Sequence, residues 1–285
     1  TEFDIRFLEP WLFDTRLSLG ADLYKFRQEY ADYTRSSYGT RLSLGAPLYI
    51  DYTRVTLMYA YDHANISDVA EGASQILKDM TGNNITSSFT LFLKRDSRDR
   101  TFNTTRGSIN DGSVQYAGGF LSGDEQFTKY RGRTAWFFPL FWNTVFMVQG
   151  RAGFIQNRGK LSTYQKFFLG GINTVRGYDF NTISPIDPKT GDYIGGEKMM
   201  VYNVEYNFPL LMEQGVTGVV FFDAGNVWTS ESEDAYNFSG LKKSVGAGVR
   251  WYSPLGPLRL EYGWKLDKME DEGAGKWEFS IGGVM

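Results

Sequence analysis

Short stretches in which apolar and polar residues alternate recur along almost the whole chain. In residues 2–8, Phe3, Ile5 and Phe7 share one parity while Glu2, Asp4 and Arg6 share the other. This is the signature of a strand with one apolar face. The next stretch sets Leu17, Leu19, Ala21 and Leu23 against Arg16, Ser18 and Asp22, and a third sets Leu42, Leu44 and Ala46 against Arg41 and Ser43. The pattern continues with Val55, Leu57, Tyr59 and Tyr61 against Arg54, Thr56 and Asp62, then with Ile85, Phe89, Leu91 and Leu93. A weaker stretch covers 108–116, after which Lys129, Arg131 and Arg133 oppose Tyr130, Thr134, Trp136 and Phe138. Further strands are predicted at 144–155, 199–208, 216–227, 241–252, 258–266 and 276–285, which makes thirteen.

The charges keep to one parity, and that matters in a membrane. A charged side chain facing lipid at mid-bilayer costs about 2–4 kcal/mol. No run approaches the ~18 apolar residues that a spanning helix needs. Aromatics reach 16% and glycines number 32 of 285 residues, which suits membrane strands with aromatic girdles. The predicted fold is all-β, a transmembrane antiparallel β-barrel occupying residues 1–285 as one domain.

Prolines orient it. Pro10, Pro47, Pro139, Pro209, Pro254 and Pro257 mark short connections, whereas 67–84, 119–126, 156–198 and 230–240 are longer and polar. Short periplasmic turns opposite long extracellular loops are the usual asymmetry of outer-membrane barrels.

A net charge of −3 without a basic tract argues against a nucleic-acid partner. The absence of cysteine excludes disulfides and thiolate metal sites. His63, beside Asp62, is the only histidine, and the carboxylates show no calcium-loop spacing. Neither catalysis, metal nor cofactor is expected. The chain opens on Thr1 without an initiator methionine, so a processed or truncated form is expected.

The longest break in the series, 157–198, contains Phe167-Phe168-Leu169-Gly170-Gly171 and then Val175-Arg176-Gly177-Tyr178. Aromatics and one Arg among glycines are read either as a loop folded back into protein, with backbone close to something else, or equally as a turn with an exposed Arg. A buried Arg176 would need carboxylates. On the next two strands, Glu205 on the inner parity and Asp223 at the end of an apolar run are available.

This loop resembles the signature loop of the BamA-type outer-membrane protein insertase superfamily. Phe221-Asp223-Gly225 resembles the family's F-x-D-x-G motif, and 253–258, Ser-Pro-Leu-Gly-Pro-Leu, matches its S-P-x-G-P-L turn. The turn at 95–107 resembles the family's R-D-x-R-D hairpin with Thr104 in place of Pro; its alternating charges are read as a solvated, self-neutralising turn. The resemblance implies that Val175, Arg176, Gly177, Tyr178, Glu205 and Asp223 anchor a lumenal loop. It also implies a sixteen-strand barrel behind periplasmic POTRA domains, with the thirteen strands here corresponding to its last thirteen.

The final strand presents Trp277, Phe279 and Ile281 outward and ends in Gly282 and Gly283. In the family this strand forms a lateral seam with the first. Weak pairing at the glycines suits a seam that opens for a client, and curvature is an equal reading of them. The implied function is non-enzymatic insertion of outer-membrane proteins. The implied partners are the outer-membrane bilayer, unfolded barrel clients and accessory lipoproteins bound through upstream POTRA domains. A two-partner secretion pore and a passive diffusion porin are the alternatives.

Overall fold

A computed structural model describes residues 2–30, 33–253, 256–268 and 273–282. The alternating stretches form one antiparallel sheet. Its strands are β1 (Phe3–Glu9), β2 (Ser18–Glu29), β3 (Thr34–Pro47), β4 (Thr53–Ser67), β5 (Gly82–Asp96), β6 (Gly107–Ala117) and β7 (Phe127–Pro139). They continue as β8 (Val145–Asn157), β9 (Lys198–Leu211), β10 (Val216–Trp228), β11 (Lys242–Ser253), β12 (Gly256–Lys265) and β13 (Gly275–Ile281).

Each strand pairs with the next in chain order, in hairpin fashion throughout. Among the described residues β1 and β13 do not pair, so the sheet is not closed. Thirteen antiparallel strands leave β1 and β13 pointing the same way, and direct closure would require a parallel pair.

The two faces differ as the alternation requires. Leu57, Leu91, Trp136, Val220, Trp251 and Leu260 point outward and are all more than 40% exposed. Such a continuous apolar exterior is what a lipid-facing wall needs. The inward parity carries the charges, among them Arg250, Glu205 and Glu261, all nearly inaccessible. No helix among the described residues is long and apolar enough to cross a membrane.

Residues between β8 and β9 turn inward and bring their own core. Phe167, Leu169, Val175, Tyr178 and Ile183 pack against Phe127, Ile155, Val201 and Val227 of the inner wall. Within the loop, short bridges join Phe167 to Gly196, Leu169 to Ile183 and Ile186 to Tyr193. A second cluster joins Tyr33 and Ile66 to Ala73, Leu77 and Met80, with Tyr164 of the loop against it. The long-loop end of the lumen is therefore filled.

At the opposite end the turn between β5 and β6 departs from the solvated turn read from its charges. The Arg98 side chain is only 6% exposed, and it pairs with Asp96 through Nε at 2.8 Å and Nη2 at 2.9 Å. Arg98, Phe102 and Asn103 border a small cavity together with Arg250, Tyr252, Pro257 and Arg259 of β11 and β12. The turn thus lies across the mouth of the sheet. Alternating charges neutralise a turn equally well in water or against a wall, so sequence did not separate the two.

Asp99 accepts from the Thr105 hydroxyl at 2.6 Å and from the backbone N–H groups of Thr105 and Arg106 at 2.9 and 3.2 Å. Desolvation raises its pKa, but these hydrogen bonds outweigh it and bring the carboxyl down to about 2. A depressed pKa stabilises the turn above the unfolded value of 3.8, and that contribution is lost as pH falls from there through about 2. An NMR titration of the Asp99 carboxyl carbon should show the low midpoint in the wild type. It should return toward ~3.9 in Thr105→Val if the hydroxyl matters.

Candidate functional site

The loop's inward course is fixed at Arg176, which is 2% exposed. Its Nε and Nη2 each lie 2.7 Å from a different oxygen of Asp223, a bidentate pair from β10. The Arg176 backbone N–H adds a third bond to Asp223 at 3.1 Å. Nη1 reaches Glu205 of β9 at 2.8 Å and Glu261 of β12 at 2.7 Å. The guanidinium carbon stands 3.5 Å from the Phe221 ring centre. That ring occupies the space left by Gly246, where an added Cβ would meet it at 2.2 Å.

The network extends beyond Arg176. Arg250 of β11 forks onto both Glu205 oxygens at 2.7 and 2.8 Å and reaches Glu261 at 2.7 Å. Arg259, also buried, donates to Glu261 at 3.0 and 3.1 Å and to the loop carbonyl of Ile172 at 3.2 Å. Arg176, Arg250 and Arg259 therefore face Asp223, Glu205 and Glu261, three charges of each sign. Balance of this kind is the condition for burying ions, because an unpaired one costs several kcal/mol. Burial pulls the Arg176 pKa down, but Asp223 foremost, then Glu205 and Glu261, outweigh it and hold the pKa well above its ordinary value.

Neighbouring groups secure the backbone. Asn203 donates to Asp223 at 2.7 Å and to the Thr174 carbonyl at 2.8 Å, and Arg151 of β8 donates to the Asn173 carbonyl at 2.8 Å. Tyr178 is buried and its hydroxyl donates to the Lys243 carbonyl at 3.3 Å, while Val175 is fully inaccessible.

Gly177 has φ +88°, and a Cβ there would come within 2.7 Å of the Gly263 carbonyl oxygen on β12. From the other side, a Cβ at Gly263 would meet the Gly177 nitrogen at 2.6 Å. Two glycines face each other where loop and wall backbones touch. Lys276 of β13 pairs with Asp179, and Glu278 of β13, 7% exposed, faces the Gly177 N–H with its Oε2 unpartnered among the described residues. The segment 172–179 is thus bonded to successive strands from β8 to β13, including the terminal one.

Of the residues singled out from sequence, Arg176, Glu205 and Asp223 meet directly, with Val175, Gly177 and Tyr178 packed beside them. Trp277, Phe279 and Ile281 project outward, 62–65% exposed. Gly282 lies just past β13 with φ +71°, its N–H donating to the Pro257 carbonyl at 2.9 Å. Gly283 lies outside the described residues, as do Pro254 and Leu255 of the proline-rich turn. His63 stacks on Tyr38, ring centres 4.7 Å apart.

Arg250, Arg259, Glu261 and Asn203 were missed. Their strands' alternation already puts them on the inner parity, so a search for inner charged and amide side chains on every strand after the loop would have found them.

The Omp85 superfamily domain model matches residues 1–285. The outer membrane protein assembly factor BamA of Nitratidesulfovibrio vulgaris is 34% identical over 285 residues, covering 98% of this chain and 36% of that protein. The factor of the same name from Neisseria meningitidis serogroup B is 24% identical, covering 98% of this chain and 41% of that protein. The chain thus spans roughly two fifths of the length of these curated relatives. The crystal structure of BamA from Haemophilus ducreyi lacking POTRA domains 1–3 superposes with a TM-score of 0.82 at 19% identity. It covers 98% of this chain and 61% of that one.

Proposed function

The chain belongs to the Omp85 superfamily, and from that premise we propose that it is the membrane part of an assembly factor that folds client β-barrels into the outer membrane. It would act without a chemical step, as the last thirteen strands of a sixteen-strand barrel. Upstream POTRA domains would receive unfolded clients and dock accessory lipoproteins.

The observation that carries this reading is the braced interior beside β13, the strand at which the family's seam would open. An exposed edge presents main-chain donors and acceptors in a row, which a client strand pairs with by β-augmentation. A template must also keep its shape while strands are exchanged. The loop segment 172–179, bonded through the Arg176 network to β9, β10 and β12 and through Lys276 to β13, supplies that rigidity from within. A simple diffusion pore has no need of such bracing.

Liposomes carrying the protein, with accessory factors supplied, should convert an unfolded barrel client to its protease-resistant form faster than empty liposomes do. Equal rates would sink the assembly reading and favour a secretion pore.

A further inference from the structure

Among the described residues the lipid-facing wall has a depression over β5 to β9. Across β5 to β9 a cross-strand row reads Leu93, Gly112, Gly132, Ala152 and Met200, all on the outward parity. In the adjacent row, Gly150 again carries no side chain, and Arg95, Asn110 and Thr134 stand beside it. These rows line an apolar groove of about 620 Å³, with Ile50 at one end and Tyr202 at the other. Many outward positions on other strands carry large side chains, among them Leu57, Trp251, Leu260 and Trp264.

Length and charge identify the occupant. Four strand steps at ~4.8 Å give a row about 19 Å long. A row crossing one leaflet of about 15 Å at about 45° would be about 21 Å, the span of one acyl chain. At the short-turn end stands Arg95, one residue from the end of β5 and half-buried. It makes no hydrogen bond or ion pair with any described residue, whereas the neighbouring Asp96 is taken by Arg98 and Lys94. An outward Arg at that depth can hold its guanidinium at the headgroup level, where a phosphate accepts from it bidentately. Asn110 and Thr134, bonded to each other at 2.6 Å, and Trp136, whose Nε1 donates to Thr134, add the amphipathic rim usual at an interface.

We infer that this groove is a specific phospholipid site of the short-turn leaflet, with one acyl chain over Gly112, Gly132 and Ala152 and the phosphate on Arg95. The inference rests on the wall facing lipid and is independent of the assembly function. The site would fix the local lipid at mid-sheet, away from β13.

Native mass spectrometry of the protein released from detergent micelles doped with phosphatidylglycerol tests it. Wild type should retain one lipid that resists delipidation. Gly132→Leu fills the groove without strain, because a Cβ there meets nothing within 4 Å. It should release that lipid, while Val220→Leu, on the outward face of β10, should not. Arg95→Gln should weaken retention about tenfold, equivalent to about 1.4 kcal/mol. Added inorganic phosphate should not displace the lipid. If Gly132→Leu, folded by circular dichroism, retains lipid as wild type does, the wall is merely wetted by bulk lipid and the site does not exist. Displacement by phosphate alone would reduce it to an anion contact at Arg95.

Discussion

Replacing Arg176 by alanine should destabilise the barrel by about 3–5 kcal/mol, the usual cost of breaking a buried ion pair. The reason is arithmetic of charge. Asp223, Glu205 and Glu261 all accept from this one guanidinium. Without it, three buried carboxylates remain with Arg250 and Arg259, and Asp223 keeps only Asn203 as a side-chain donor among the described residues. Arg176→Glu should be worse, since it adds a fourth carboxylate. Arg176→Lys should fall between, retaining the charge but losing the bidentate fork to Asp223. Guanidinium-chloride unfolding in detergent, followed by tryptophan fluorescence, measures the order. A loss below about 1 kcal/mol in Arg176→Ala would mean that the remaining arginines re-pair the acids and that the loop is not held there. If the assembly reading is right, Arg176→Glu should also lower the rate of client folding in liposomes.

The second large effect is expected where the loop touches β12. Gly177→Ala puts a methyl within 2.7 Å of a backbone oxygen and asks alanine to hold φ +88°. Overpacking typically costs about 1–3 kcal/mol, and the left-handed backbone about 1–2 more. Gly263→Ala meets backbone at 2.6 Å from the opposite side but carries no φ penalty, so it should cost less by that difference. Backbone cannot rotate away as a side chain can, so the loop must lift off the wall. Spin-label distances between Asn173 and β12 should lengthen in both variants. Unchanged distances together with unchanged stability would show that the wall gives way instead.

Alternation of apolar and polar residues was enough to predict all thirteen strands and to say which way each side chain points. The reason is that membrane strands have two unlike faces and a period of two, and an error of one residue would put charge into lipid. Arg176, Glu205 and Asp223 were legible through the family resemblance: the residues alone left Arg176 equally readable as exposed, while Glu205 on the inner parity and Asp223 at the end of an apolar run were available acids. What the chain could not reveal is height. The lumen face carries many polar residues, and parity is silent on which of them stand level once strands are tilted and paired in register. Glu261, Arg250 and Arg259 joined the network only when β9 to β12 were aligned. The burial of Arg98, the contact of Gly177 with Gly263 and the outward groove over Gly112, Gly132 and Ala152 likewise depend on cross-strand neighbours tens of residues away. The sequence by itself determined the strands and their two faces, because those are local. Which groups meet across the lumen or the outer wall was decided by register and tilt, which only the assembled sheet possesses.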